Sequence, residues 1–148
     1  MGRVFSTWFS ATATAALVAL VTAGCGGDGS GSESGPSTAA ERDATAQMKY
    51  CFEGAGALTA RPGEHVEQLD RTPSGPDADG AKRILVAYWA DTGHAVHVYH
   101  ASEAGTTQKI AESLSVDGVE WSDRVLVVPD AEDPPSEDEA LLAADCLL

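Results

Sequence analysis

Residues Val4 to Gly24 carry no charged side chain, and Ala11 to Ala23 form a near-continuous run of small and aliphatic residues that stops just short of Cys25. No other feature limits so strongly what this chain can become. Arg3 and the amino terminus give the run a short positive end, and Ala23 and Gly24 leave a slim extended backbone just before the cysteine. A positive end, an apolar run and small residues, in that order, are the layout of a secretory signal. Removing residues 1–24 from the 148-residue chain leaves 124 residues, enough for one domain.

The stretch Thr22-Ala23-Gly24-Cys25 resembles the signal of bacterial lipoproteins, departing from it at Thr22, where an aliphatic residue is typical. The resemblance covers residues 1–25. It implies that the Cys25 thiol receives a diacylglycerol, that cleavage makes Cys25 the first residue, and that the acyl chains hold the protein at the outer face of the cell membrane. An uncleaved membrane span and plain secretion are the competing readings; the small, Thr-rich run suits cleavage better than a stable span. Met1 to Ser6 also fits a myristoylation pattern, which the export segment that follows makes moot.

The chain has 9 basic and 23 acidic residues, a formal charge of −14, and Arg3 is the single charged side chain within the expected signal. Such a balance argues against nucleic-acid binding, which needs a basic footprint. It also argues against direct adhesion to anionic lipid, so the membrane is expected as a partner only through the anchor. High-salt adaptation is a further reading of the acidity.

Gly26 to Asp43 holds no large apolar side chain and reads as a flexible tether. The domain is expected over residues 44–148. A first helix is predicted from Ala44 to Gly56, capped by Asp43, with Met48, Cys51, Phe52 and Ala55 in one stripe. Leu58 to Glu67 holds a short edge strand broken at Pro62-Gly63, and Gln68 to Ala81 is a loop rich in breakers. Asp77-Ala78-Asp79-Gly80 does not make a calcium loop, because the flanking ligand positions fall on Gly75 and Val86.

Lys82 to Ala101 reads as a hairpin turned at Asp91-Thr92-Gly93. Its first strand is apolar on both faces and hence central. Ser102 is expected to cap a helix ending near Leu114. Arg124 to Val128 is another strand buried on both faces, and the intervening helix allows it to run parallel to its predecessor. Ser136 and Glu139 match a capping box for a closing helix carrying Leu141, Leu142, Ala144, Cys146 and Leu148. The fold class is therefore α+β: a mostly antiparallel sheet of three or four strands packed by helices. The expected core is Met48, Phe52, Ile84, Val86, Val96, Val98, Ile110, Leu114, Val125, Val127 and Leu142.

With Cys25 lipidated, Cys51 and Cys146 remain, and in an oxidising space two such cysteines pair. The bond would tie the first helix to the last. That plan is loosely similar to small actinobacterial lipoproteins, a likeness that assigns no function. His94, His97 and His100 are spaced HxxHxxH, but on a strand His97 points away from the other two. The run is therefore not expected to hold a metal, and the histidines are expected at the rim or facing solvent. No G-x-S-x-G elbow occurs, and Gly54-Ala55-Gly56 lies at a helix end rather than in a dinucleotide loop, so no cofactor is expected. Tyr88, Trp89, His97 and Tyr99 are the candidates for a ligand face. Two functions remain: a non-enzymatic envelope module that binds a protein or small molecule, and an envelope enzyme built around His97, His100 and a carboxylate.

Overall fold

A computed structural model describes residues 38–148. The expected signal, Cys25 and most of the expected tether lie outside the described residues.

Helix α1 spans Ala39–Gly54. It starts five residues before the expected boundary, inside the stretch read as tether. The reason is local: Thr38, not Asp43, is the cap, its hydroxyl accepting from the Glu41 N–H at 3.1 Å, and Ala39 and Ala40 are strong helix formers. Lys82 then ties Glu41 of that first turn to the sheet at 3.2 Å. Met48 and Phe52, four apart, form the buried face of α1.

Strand β1 (Leu58–Ala60) is followed by a single 3-10 turn (Glu67–Leu69), then β2 (Ala81–Tyr88) and β3 (Ala95–Ala101). Helix α2 (Thr107–Leu114), β4 (Glu120–Trp121), β5 (Val125–Pro129) and α3 (Glu137–Asp145) complete the described chain. The five strands form one sheet in the order β1-β2-β3-β5-β4, and every neighbouring pair is antiparallel. The sheet therefore has five strands, one or two more than expected, the addition being the two-residue β4. Both edge strands are very short, which limits edge-to-edge association.

The direction of β5 is a correction: it runs antiparallel to β3, not parallel. The crossover through α2 does bring the chain back along the direction of β3, but it delivers β4, two places away in the sheet. A tight turn then inserts β5 between them, antiparallel to both. Ser102 does not cap α2; its hydroxyl donates to the Gly80 carbonyl at 2.7 Å, and α2 begins five residues later.

Helices α1 and α3 cover one face of the sheet, packing Met48, Phe52, Ala143 and Cys146 against Leu85, Ala87, Trp89, Val96, Val98 and Val127. Phe52 meets Trp89 edge-on with ring centroids 6.3 Å apart. The second face buries Tyr99, Leu126 and Val128 against Ile110 and Ala111 of α2. The capping box at α3 forms as expected. Its buried stripe is Glu139, Ala143 and Cys146, spaced at i, i+4 and i+7, so Leu141 (61 %) and Leu142 (38 %) face outward instead of filling the core. Cys51 and Cys146 form the expected disulfide, with Cα atoms 5.7 Å apart, joining α1 to the end of α3.

One irregularity matters for the site. Arg83 pairs with Tyr99 and Leu85 with Val98, so Ile84 is an extra residue in β2. A bulge of this kind resets which side chains share a face. It places Arg83 on the same face as Tyr99 and His97, where a regular strand would turn Arg83 away from Val86, the cross-strand partner of His97.

Candidate functional site

The most concentrated polar chemistry lies on the second face, beneath the loop from Arg71 to Gly80. Arg71 is held in place by local structure. Asp70 takes a left-handed conformation (φ 51°) after the 3-10 turn, and the Val66 N–H then donates to the Arg71 carbonyl at 2.9 Å. Tyr88 Oη donates to Gln68 Oε1 at 3.2 Å, fixing the same turn to β2.

Asp130 follows β5 directly. Its backbone N–H donates to the Ala95 carbonyl at 3.0 Å, which aims its side chain beneath the loop. Arg71 approaches that carboxylate with both terminal nitrogens, Nη2 at 3.1 Å from Oδ1 and Nη1 at 3.3 Å from Oδ2. The backbone N–H groups of Glu132 and Asp133 donate to Oδ1 at 3.0 and 3.1 Å. His97 Nε2 lies 2.8 Å from Oδ2; facing an ionised acceptor, that nitrogen carries the proton. Arg71 also pairs with Asp133 at 3.1 Å and Glu132 at 3.6 Å. Burial pushes the Asp130 carboxyl up, but the hydrogen bonds from His97, Arg71 and the two backbone N–H groups outweigh it and hold it well below the usual carboxylate range.

The loop seals this cluster. Pro73 is fully buried, Tyr99 Oη donates to the Pro76 carbonyl at 2.7 Å, and Gly75 lies directly on the His97 ring. A Cβ at Gly75 would stand 2.8 Å from His97 Cγ and inside the contact distance of Tyr99 Oη. Burial pushes the Tyr99 phenol up to about 12, with Arg83 opposing the shift and Asp77 adding to it.

A second polar staple sits at the turn between β2 and β3. His94 Nδ1 lies 2.6 Å from Glu139 Oε2 and Thr92 Oγ1 donates to Glu139 Oε1 at 2.9 Å, while the Ser136 N–H also donates to Oε2, at 2.7 Å. Burial raises the Glu139 carboxyl; the Ser136, His94 and Thr92 donors bring it below its ordinary value. One carboxylate thus caps α3 and ties its start to the hairpin.

The histidine expectations need correcting. His97 is completely buried and His100 is 5 % exposed, because β3 lies between β2 and β5 and both its faces are covered. The alternation itself holds: His97 shares a face with Tyr99, and His100 shares the other with Val98 and Val96. The structure therefore does not bring His97 and His100 together; the partner of His97 is Asp130. Among the described residues no three His, Cys, Asp or Glu side chains gather as a metal site would require.

The four residues proposed for a ligand face are all buried, and they are divided. Trp89 packs with Phe52 under α1, Tyr99 belongs to the α2 side, and Tyr88 packs with Val66 and Ala95. Only His97 and Tyr99 share one environment. Sequence reasoning missed Asp130 and Arg71. The signals were an aspartate closing a strand buried on both faces, and one arginine in an otherwise acidic, breaker-rich loop.

An imidazole oriented by a carboxylate, with its other nitrogen unprotonated, is the element from which general bases are built. Among the described residues His97 Nδ1 has no hydrogen-bond partner, so none of them places a nucleophile within hydrogen-bond reach of it. As folded, the Arg71–Asp130–His97 cluster clamps the loop to the sheet. Beside the disulfide, residues of α1, Ser122, Val125 and the Cys146-Leu147 end line a cavity of about 70 Å³, too small for a drug-sized ligand. Comparison with known proteins found no matching family model, no matching curated protein and no matching solved structure.

Proposed function

We propose that this protein is a lipid-anchored, extracytoplasmic lipoprotein whose domain serves the cell envelope as a non-catalytic interaction or ligand-binding module. The observation that carries this reading is the Cys51–Cys146 bond. Structural disulfides persist in oxidising spaces and are rare in the cytosol. The bond uses two of the three cysteines, and the remaining one, Cys25, stands where the lipoprotein resemblance puts the acyl acceptor. The charge of −14 favours a protein or small-molecule partner over nucleic acid.

The enzyme reading draws on the Asp130–His97 pair. Complete burial of the ring under Gly75 favours a structural use of that pair instead. Detergent phase partitioning tests the anchored reading: the wild-type protein is expected in the detergent phase and Cys25→Ser in the aqueous phase. Wild-type protein recovered in the aqueous phase would overturn it.

A further inference from the structure

A surface helix ordinarily turns its large apolar residues toward the core. Helix α3 does the reverse. Its inward stripe is Glu139, Ala143 and Cys146, while its two largest apolar side chains, Leu141 and Leu142, are 61 % and 38 % exposed. Two anchors set this phase. At the start, the capping box holds Ser136 and Glu139 together, and Glu139 is tied to His94 and Thr92 of the β2–β3 turn. At the end, Cys146 is bonded to Cys51 of α1. Rotating the helix to bury the leucines would break both anchors, so the fold keeps them outward.

The leucines stand between two carboxylates. Asp138 lies three residues before Leu141 and four before Leu142, and Asp145 lies four and three residues after them, so all four share one face. Both aspartates are exposed, and neither pairs with a cation among the described residues. No lysine or arginine occurs from Val125 to Leu148. Asp145 ends the helix, where the macrodipole opposes a carboxylate, so its charge does not serve the helix itself. The face is an apolar centre with a negative charge at each end, roughly 10 Å apart along the helix axis.

Charge decides what covers it. A second copy crossing antiparallel would bring Asp138 against Asp145, and a parallel copy would bring each against itself; like charges across an interface are costly. An anionic lipid surface is repelled in the same way. We infer that the outward face of α3 docks a helix of a partner protein that is apolar at its centre and carries a lysine or arginine one turn to either side. Amphipathic helices are recognised through anchors at this spacing. The inference rests on the interaction-module reading of the domain and gives its partner a chemical class. Two leucines make a small centre, which suits a transient contact rather than a permanent one.

The test is photo-crosslinking of the full chain carrying Leu142→p-benzoylphenylalanine, in membranes of the cells that make it, with the adduct sequenced by mass spectrometry. The expected adduct is a protein segment with basic residues flanking apolar ones. Its yield should fall about tenfold or more when Asp145→Lys is added, a change the helix dipole favours, so loss of fold does not account for the drop. An adduct with a second copy, with lipid or with a segment lacking basic residues would overturn the inference, as would an adduct indifferent to Asp145→Lys or no adduct at all. The same probe at Trp121, whose cross-strand partner Leu126 faces α2, separates this inference from the reading beneath it. A protein adduct from Trp121 alone removes the α3 face and leaves an interaction module standing; silence at both positions removes the protein-interaction reading as well.

Discussion

Replacing Cys51 and Cys146 together by alanine probes the staple that closes the domain. The two cysteines are 95 residues apart in sequence. For a loop of that length the chain-entropy relation gives about 4.7 kcal/mol at 25 °C, and measured bonds more often contribute about 2–4 kcal/mol. The described domain is residues 38–148, for which the unfolding entropy is about 0.23 kcal/mol per kelvin near 60 °C. The double variant should therefore melt about 10–20 °C lower than the oxidised parent. Both positions pack against the α1–α3 face of the sheet, Cys146 fully and Cys51 in part, so the double change avoids a buried lone thiol. The assay is a calorimetric melt of the parent, the reduced parent and the double variant, with far-UV circular dichroism at 20 °C to show that the fold persists. A double variant within about 2 °C of the oxidised parent would refute the reasoning, because α1 and α3 would then be held by packing alone.

Three further outcomes follow from the polar clamp. Asp130→Ala leaves Arg71 and the buried His97 without their common acceptor and should cost about 3 kcal/mol or more, read as a lower urea midpoint at pH 7. The depressed Asp130 and Glu139 carboxyls contribute stability that is fully present above the unfolded values near pH 4 and is lost as pH falls through the folded ones. Urea midpoints should thus fall from pH 5 to pH 2.5, and Asp130→Asn should flatten that decline; an equally steep decline in the variant would contradict the assignment. Gly75→Ala forces a methyl group onto His97 and Tyr99 and should cost about 1–3 kcal/mol, with faster amide exchange from residue 72 to 80; an unchanged melt would show that the loop does not bear on the ring.

What was legible in the sequence was what short-range pattern encodes. The β2–β3 hairpin announces itself through two apolar runs around Asp91-Thr92-Gly93, and Gly93 takes the left-handed conformation that such a turn needs (φ 79°). The Ser136–Glu139 capping box is a four-residue motif and forms as written. The disulfide follows from counting cysteines in a chain whose first residues read as an export signal. What was illegible depends on tertiary geometry. The clamp joins residues 26, 33 and 59 positions apart, and nothing near Arg71 indicates where its partner lies. Strand β4 is two residues long, and its Glu120-Trp121 carries no alternation to read. The position of Arg83 rests on one extra residue at Ile84, which inverts the facing of the residues before it. In α3, five consecutive apolar residues, Ala140 to Ala144, blurred the phase, and only the bond at Cys146 and the cap at Glu139 decide which of them face inward.

The most direct test of the account is intact mass spectrometry of the mature protein purified from membranes, followed by fragmentation of its amino-terminal peptide. The account predicts a chain that begins at Cys25 and carries a thioether-linked diacylglycerol. A chain that retains Met1, or a mature amino terminus at an unmodified Cys25, would contradict it.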